Sequence, residues 1–246
     1  MGILYVVATP IGNLDDITIR AIKTLFTANA IACEDTRKGS FLLRELRSRF
    51  GHLVPDAIAP DQQPLFSYYE QNEKDRIPQI INGLKNDLSV AVISDAGTPT
   101  ISDPGFKLVR EAIRAGIRVE SVPGPTAAIS ALVTSGLPTD KFLFLGYPPR
   151  KPGHRKEFFV NAKQSQEFVK ATCILYEAPH KLIKTLEELM EVFGDIQIVI
   201  GRELTKVHEE LRRESISQSL LHFRKKEPRG EIVILFSKDQ EVFPDA

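Results

Sequence analysis

Short apolar, β-branched runs alternate with segments of helical periodicity along the chain. The first run, Ile3–Val7, precedes a turn and then Ile19, Ile22 and Leu25 at helical spacing, and the alternation continues to a last run at Glu231–Phe236. Runs that lack polar alternation are typical of strands buried on both faces of a sheet. The pattern therefore predicts an α/β fold with mostly parallel strands.

Charge and cysteine content narrow the classes of function. The 32 Lys and Arg residues balance the 32 Asp and Glu residues, so a polyanion can be bound only through a local basic patch. Cys33 and Cys173 lie in apolar runs without a partner at metal-ligand spacing, which predicts buried, reduced thiols and no metal site. The apolar runs are shorter than the ~20 residues of a membrane helix. We expect a cytoplasmic protein without a membrane partner or signal peptide.

Several segments carry more specific local predictions. Pro78 is expected in the first turn of a helix around Ile77–Leu84, and Asp103 is expected to cap a helix that begins at Pro104. The proline-rich, charged segment Pro148–Lys156 is predicted to be an exposed loop, and on composition alone it is the natural domain boundary. Lys206–Arg213 is a charged segment that the pattern assigns to neither helix nor strand.

Three loops rich in glycine and proline directly follow predicted strands. They are Ala8–Asp16, Ser94–Gly105 and Val122–Ala128. Strand ends open a crevice in α/β proteins, and small residues let the backbone approach a ligand. Any one of these loops could be a simple turn, but three in one chain indicate a ligand site. The first loop lacks G-x-G-x-x-G and the chain lacks a phosphate-binding P-loop motif, which disfavours dinucleotide or nucleoside triphosphate chemistry.

A set of motifs gives the sequence a family resemblance. In chain order they are ATPIGNLDDITIRAI, CEDTRKGSFLL, SDAGTPTISDPG, PGPTAAISAL, SGLPTDKFLFLGYPPRK, YEAPHKL and GRELTKVHEE. With them the chain, from about Tyr5 to Ser237, resembles the tetrapyrrole methylase superfamily, and within it the branch that methylates small-subunit ribosomal RNA. Thr126 and Ala178 stand where serine is more usual in that branch.

The resemblance implies a fold, a reaction and partners. It implies two unlike α/β domains, residues 1–121 and 122–246, with S-adenosylmethionine in the cleft between them. It implies methyl transfer to the ribose 2′-oxygen of a cytidine in 16S ribosomal RNA, either as naked RNA or in the assembled small ribosomal subunit, and a homodimer. The alternatives are a corrinoid or diphthine-type methylase, or a non-catalytic cofactor-binding module. The motifs CEDTR, YEAPH and PPRK favour the RNA branch.

Cofactor contacts are predicted mainly at the strand-end loops. Asp95 can accept hydrogen bonds from ribose hydroxyls or an amine, Gly97 and Thr98 expose backbone, and the resemblance adds Thr126 and Ala127 at a helix start, where backbone N–H groups are free. The full predicted set is Pro10, Asp95, Gly97, Thr98, Ser102, Thr126, Ala127 and Tyr176.

A base near the ribose hydroxyl would assist methyl transfer, because the hydroxyl must lose its proton. The predicted catalytic set is Glu177, His180 and Arg37. Glu177 is expected at the mouth of the crevice, His180 could be a base or an ordinary surface residue, and Arg37 could bind a phosphate or pair with Asp35 or Glu34. Glu34, Asp35 and Glu203 stay open as alternative bases, with an Arg202–Glu203 ion pair the simpler explanation of the last.

Local positive charge marks the predicted RNA contacts. The exposed loop holds Arg150, Lys151, Arg155 and Lys156, together with His154, and these four cations form the predicted RNA-binding set. A second cluster, formed by Arg224, Lys225, Lys226 and Arg229, is predicted to be only a solvated face.

Overall fold

The computed structural model describes residues 1–238. The chain divides into two compact units, Met1–Thr126 and Ala127–Ala246, and each is described by itself. Each unit contains one five-stranded sheet with helices, which confirms the predicted α/β class. The domain boundary predicted after residue 121 stays a prediction.

The first unit is built on a parallel sheet. Its strands are β1 (Ile3–Val7), β2 (Ala30–Cys33), β3 (Leu65–Ser67), β4 (Val90–Ile93) and β5 (Arg118–Val122). Their order is β3-β2-β4-β1-β5, and every neighbouring pair is parallel. The carboxyl ends of all five strands therefore lie at one edge of the sheet.

Helices pack against both faces of this sheet. They are α1 (Ile19–Thr27), α2 (Thr36–Phe50), α3 (Glu73–Lys85) and α4 (Phe106–Arg114). The strand β4 contributes Ala91 and Ile93 to one buried cluster and Val90 and Val92 to another, as the two-residue period of a strand requires. Because both faces are apolar, ligands are restricted to the edges of the sheet.

Two local predictions in the first unit are wrong. The helix α3 begins at Glu73, so Pro78 lies inside the helix rather than in its first turn, and Glu73 and Asp75 supply the acidic first turn instead. The helix α4 begins at Phe106, and its N-cap is Gly105 with φ of 130°. Asp103 is therefore not a cap, because the helix begins only three residues after it.

The second unit has a mixed sheet. Its strands are β6 (Phe142–Gly146), β7 (Thr172–Glu177), β8 (Gln197–Arg202), β9 (Glu210–Ser215) and β10 (Ile232–Phe236), in the order β6-β7-β10-β8-β9. The strands β6 and β7 are parallel, whereas β10 is antiparallel to β7 and β8, and β8 is antiparallel to β9. The prediction of mostly parallel strands is wrong here, since the connection from β8 to β9 is too short for a crossover.

The charged segment Lys206–Arg213 contains most of the edge strand β9. Along this strand Arg212 pairs with Glu214 at 2.7 Å and with Glu210 at 3.3 Å. Charged side chains are common on edge strands because they oppose pairing with other chains. The charge pattern therefore did not predict β9, although this strand forms the edge of the sheet.

Within the described part of the second unit, four helices cover the sheet. They are α5 (Ala127–Ser135), α6 (Pro152–Phe168), α7 (Leu182–Phe193) and α8 (Ile216–Lys225). The core includes Phe159 of α6, Leu186 of α7 and Phe223 of α8. The prediction of an exposed loop over Pro148–Lys156 is wrong from residue 152 onward, because a proline in the first turn starts α6 there.

Both cysteines are buried free thiols, as predicted. Burial raises the pKa of Cys33 to about 12 and that of Cys173 to about 11, so neither is a reactive thiolate near neutral pH. Across residues 1–238, no helix combines the length and the apolar character needed to cross a bilayer.

Candidate functional site at the strand ends

The three predicted loops, the third through its residues 122–125, meet at the carboxyl edge of the first sheet. Beyond β1, the N–H of Thr9 donates to the carbonyl of Gly97 at 2.8 Å, and the N–H of Gly97 donates back to Thr9 at 3.1 Å. The N–H of Ala8 donates to the carbonyl of Val122 at 3.1 Å, which joins the end of β1 to that of β5. The parallel topology thus brings together segments that are distant in sequence.

The loop Ser94–Gly105 has an unusual backbone. Four of its residues have a positive φ. Two are glycines, Gly97 (φ 81°) and Gly105 (φ 130°), but Thr100 (φ 74°) and Ser102 (φ 64°) are not. Such residues are uncommon and cost free energy, and they persist where surrounding contacts hold them. The hydroxyl of Thr98 donates to the carbonyl of Pro125 at 3.0 Å. The loop is therefore held in a defined shape.

Glu73 anchors the far end of this loop. It is 4% exposed and accepts hydrogen bonds from the hydroxyl of Tyr68 at 2.7 Å and the N–H of Gly105 at 3.3 Å. Lys107 pairs with it at 2.8 Å. Sequence reasoning missed Glu73, because the helix was expected to begin only at Ile77 and the residue carries no motif signal of its own.

Two glycines allow close approach of the backbone at this edge. A Cβ at Gly97 would lie 3.3 Å from Cγ2 of Ile11, and one at Gly124 would lie 3.0 Å from Cβ of Ala8. The positive φ of Gly97 adds a conformational reason for glycine. Gly97 is itself buried, and its N–H and carbonyl both bond to Thr9, so the prediction that it exposes backbone is wrong.

A cavity of about 690 Å³ opens at the ends of β1, β2 and β4. Its volume is in the range typical of small-molecule sites. Its walls are largely apolar, with polar groups from the strand ends and from the start of α2. The lining residues are Pro10, Gly12, Leu14, Cys33, Asp35, Arg37, Lys38, Gly39, Phe41, Leu42, Ile93, Ser94 and Asp95.

Ion pairs arrange the charges around this cavity. Lys38 donates to Asp95 at 2.7 Å. Arg37 donates twice to Asp35, at 2.7 and 3.1 Å, while the carboxylate of Asp35 also caps α2 by accepting from the N–H of Arg37. The hydrogen bonds from Arg37 hold the pKa of Asp35 well below its usual range. Of the two possibilities for Arg37, the structure contains the ion pair with Asp35.

Glu34 is a carboxyl group at this edge whose pKa is raised. Partial burial, followed by the nearby carboxylates of Asp103 and Asp95, raises the pKa of Glu34 to about 7. Lys38 and a hydrogen bond from the backbone N–H of Asp95 act in the opposite direction. Closely spaced carboxylates disfavour each other's ionisation, so Glu34 can exchange a proton near neutral pH.

In the second unit, Tyr176 lies at the end of β7 beside the start of α5. Its hydroxyl accepts a hydrogen bond from the N–H of Ala128 at 3.1 Å, which places it close to Ala127. The rings of Phe144 and Tyr147 contact it edge-on, with centroids 5.0 and 5.6 Å away. The structure thus brings together the two predicted cofactor-binding residues of this unit.

Glu177 does not lie at the mouth of a crevice, and that prediction is wrong. The residue is 3% exposed, and its carboxylate accepts hydrogen bonds from the N–H of Ala178 at 2.8 Å and from the hydroxyl of Thr185. Arg155 lies 3.6 Å away. These partners hold the carboxylate inside the unit, whereas His180 is exposed in the turn at residues 179–181.

Arg155 is also buried, so its place in an exposed RNA-binding loop is wrong. It is 2% exposed because α6 turns it inward, where its guanidinium binds Glu188 and Thr185, both at 2.7 Å. Arg150 and Lys151 are exposed, and Lys156 is exposed but pairs with Glu191 at 2.7 Å.

The remaining charged candidates pair within the second unit. Arg202 binds Glu210 at 2.8 Å, while Glu203 binds Lys206 at 2.9 Å, so the predicted Arg202–Glu203 pair is wrong. In the second basic cluster, Arg224 pairs with Glu187 at 2.7 Å.

Comparison with known proteins places this arrangement in a family. A family model for tetrapyrrole (corrin/porphyrin) methylases matches residues 3–219. The chain belongs to the tetrapyrrole methylase family. Among relatives of this tetrapyrrole methylase, the ribosomal RNA small subunit methyltransferase I of Thermotoga maritima is 43% identical over 96% of this chain and 99% of its own length. The protein of that name from Bacillus subtilis is 41% identical over 98% of this chain and 78% of its own length.

Solved structures share the fold of this tetrapyrrole methylase at low identity. A diphthine synthase aligns with a TM-score of 0.68 at 15% identity, over 96% of this chain and 90% of that chain. A cobalt precorrin-4 methyltransferase aligns with a TM-score of 0.66 at 17% identity, over 95% and 93%. The family and fold class predicted from the motifs are confirmed, while the roles of individual residues stay predictions.

Proposed function

We propose that this tetrapyrrole methylase transfers a methyl group from S-adenosylmethionine to the ribose 2′-oxygen of a cytidine in small-subunit ribosomal RNA. The observation that carries the proposal is identity above 40% to curated ribosomal RNA small subunit methyltransferases I, over nearly the whole chain. A ribosomal substrate implies the cytoplasm as the site of action. As predicted from the family resemblance, we also propose a homodimer, which light scattering at micromolar concentration would test against the 27.5 kDa monomer.

The strand-end loops of the first unit fit the cofactor. Gly97 joins two of these loops through its backbone hydrogen bonds with Thr9, Asp95 supplies a carboxylate for hydroxyl or ammonium groups, and Thr98 is fixed against Pro125. We assign cofactor contacts here to Pro10, Asp95, Gly97, Thr98, Ser102 and Thr126. Ala127 and Tyr176 of the second unit remain proposed contacts.

When bound, the cofactor supplies an electrophilic methyl group on a sulfonium. In the transfer, a bond forms between the ribose 2′-oxygen and the methyl carbon, the carbon–sulfur bond breaks, and the hydroxyl proton leaves. The protein's task is to hold the hydroxyl in line and to accept that proton. No covalent bond to the enzyme is required.

We assign the proton acceptor to Glu34. Asp35 is occupied by Arg37, Glu177 by Thr185 and Ala178, and Glu203 by Lys206. Glu34 instead lies at the end of β2 beside Asp95, in surroundings that keep its carboxyl titratable near neutral pH. This assignment replaces Glu177 as the proposed base, and it leaves His180 as an exposed alternative.

Methyl transfer to isolated RNA and to assembled small subunits tests the function directly. Both substrates should lack the modification beforehand, and the product should be digested to nucleosides and analysed by mass spectrometry. Recovery of 2′-O-methylcytidine would support the proposal, and comparing the substrates identifies the preferred one. Cofactor binding without transfer to either would favour a non-catalytic module, and transfer to a corrinoid or protein would favour the alternative methylases.

A further inference from the structure

A buried polar network in the second unit links a basic segment to the interior. The guanidinium of Arg155 binds the carboxylate of Glu188 through Nε and the hydroxyl of Thr185 through Nη2, both at 2.7 Å. That hydroxyl in turn donates to Glu177. The side chains of Arg155 and Glu177 are 3% and 1% exposed. A buried charge of this kind persists only when its partners satisfy it.

The same guanidinium reaches the chain segment that precedes its own helix. Its Nη1 donates to the carbonyl of Pro149 at 3.3 Å. Pro149 is directly followed by Arg150 and Lys151, both of which are exposed. The planar, rigid fork of arginine can serve three acceptors at fixed angles, which a lysine ammonium on a flexible stem cannot reproduce.

We propose that Arg155 is a positioning residue that fixes the backbone of Pro149–Lys151, so that Arg150 and Lys151 face the RNA in a defined orientation. Arg155 itself does not touch the RNA, because its charge is inside the unit. Glu188 and Thr185 act by holding the guanidinium. This inference rests on the proposed function for its kinetic consequence, but the structural consequence is independent of it.

The test compares Arg155→Lys with a matched control, Arg212→Lys. Arg212 forms an ion-pair network of its own with Glu214 and Glu210 on β9. Both substitutions keep the charge and remove the fork. We expect Arg155→Lys to raise the KM for small subunits on the order of tenfold, with kcat within about twofold, because a misplaced group weakens binding even far from the reacting atoms. Arg212→Lys should leave KM unchanged.

Hydrogen exchange gives a readout that does not depend on activity. In Arg155→Lys, the peptide that covers residues 147–158 should exchange faster than in the wild type at the start of α6, where the N–H of residue 155 donates to the carbonyl of Lys151 at 3.1 Å, whereas Arg212→Lys should leave it unchanged. Unchanged exchange in this peptide would overturn the proposal whatever the kinetics. If the wild type fails to methylate RNA while the exchange result holds, the proposed function fails and the positioning role survives.

A second variant covers the case in which Arg155→Lys does not fold. Glu188 is partly exposed, so Glu188→Gln removes one acceptor charge at smaller structural cost. We expect Glu188→Gln to speed exchange in the same peptide and to raise KM about threefold. If both variants fold, the double variant should be no worse than Arg155→Lys, because residues of one network are not additive. Fully additive effects on KM, or wild-type behaviour of Glu188→Gln, would contradict a shared role.

Discussion

In the first unit, five parallel strands end at one edge, and their polar residues surround a cavity. In the second unit, the strands run in both directions, and polar residues at comparable positions are bound to one another. Asp95, which lines the cavity, shows the first case, and Glu177 and Arg155 show the second. Motif residues that look equivalent in sequence therefore have opposite environments, since parallel topology gathers strand ends whereas antiparallel pairing disperses them.

The carboxyl groups of the two units also differ in their electrostatic surroundings. Burial and like charges at the end of β2 raise the pKa of Glu34, which makes its proton exchangeable. In the second unit, the carboxylate of Glu177 receives a hydroxyl and a backbone N–H and has an arginine nearby, so its hydrogen-bonding capacity is satisfied. A carboxyl whose pKa is perturbed at a strand end is typical of a functional site, whereas a satisfied buried network is typical of a structural one.

The largest expected effect is at Glu34, and it tests whether the proton acceptor lies in the first unit or the second. Glu34→Gln removes the proposed proton acceptor and should lower kcat on the order of a hundredfold, the low end of what a general base contributes. Glu177→Gln should lower kcat far less and should mainly reduce stability. A larger decrease of kcat in Glu177→Gln than in Glu34→Gln, both folded and both measured on small subunits, would return the base to the second unit.

The pH profile sharpens the same assignment. Glu34 must be ionised to accept a proton. Burial and the carboxylates of Asp103 and Asp95 raise its pKa to about 7 against the effect of Lys38, so kcat in the wild type should rise as pH increases through about 7. The folded pKa lies above the usual value of 4.5, so the native state binds more protons than the unfolded state between those values. Stability should therefore fall as pH rises from 4.5 to 7, and Glu34→Gln should flatten that fall. Chemical denaturation at several pH values measures it.

Sequence reasoning predicted the strands of the first unit well, because the signals for them are local. Apolar runs mark β1 and β4, and the glycines and prolines after them mark turns at the sheet edge. Parallel pairing then follows from the alternation of strands with helices. The placement of Asp95 and Gly97 in one loop beside Pro10 needed nothing beyond these rules.

In the second unit the same reasoning found the last strand, β10, but it missed the buried charges and the edge strand, because those depend on interactions beyond the local apolar pattern. Arg155 is in a run of charged residues that reads as exposed, but its partners Thr185 and Glu188 are 30 and 33 residues away on another helix. The edge strand β9 was missed because its charges satisfy one another along the strand. Burial of a charge depends on partners that only the fold reveals.

The next effect in size concerns the cofactor loop. Gly97→Val places a β-branched side chain at φ 81° and its Cβ 3.3 Å from Ile11. Affinity for S-adenosylhomocysteine, measured by calorimetry, should fall on the order of tenfold because the side chain would push the loop away from Ile11 and change its shape. Gly116→Val is the matched control, because Gly116 has φ 70° with open space around its Cβ. Both variants should be destabilised by about 1–2 kcal/mol. Equal affinity in the two folded variants would remove the loop from the cofactor site.

The smallest effect concerns the exposed cations of the second unit. Arg150→Ser combined with Lys151→Ser should flatten the dependence of small-subunit binding on salt, by roughly one unit for each phosphate that the variant no longer neutralises. Arg224→Ser combined with Lys225→Ser removes the same charge from the second basic cluster, where Arg224 already pairs with Glu187, and should leave the slope unchanged. Lys156→Ser should have an intermediate effect, since Glu191 competes with RNA for that ammonium.

Cofactor affinity is the control for these three variants, and the two double substitutions decide the interpretation. Affinity for S-adenosylhomocysteine should be unaltered in all three, which distinguishes weaker RNA binding from misfolding. Both double substitutions remove two positive charges, but only one of them lies beside Pro149, whose carbonyl Arg155 holds. Equal salt slopes for the two would therefore show that net charge, rather than the orientation of the segment held by Arg155, governs RNA binding.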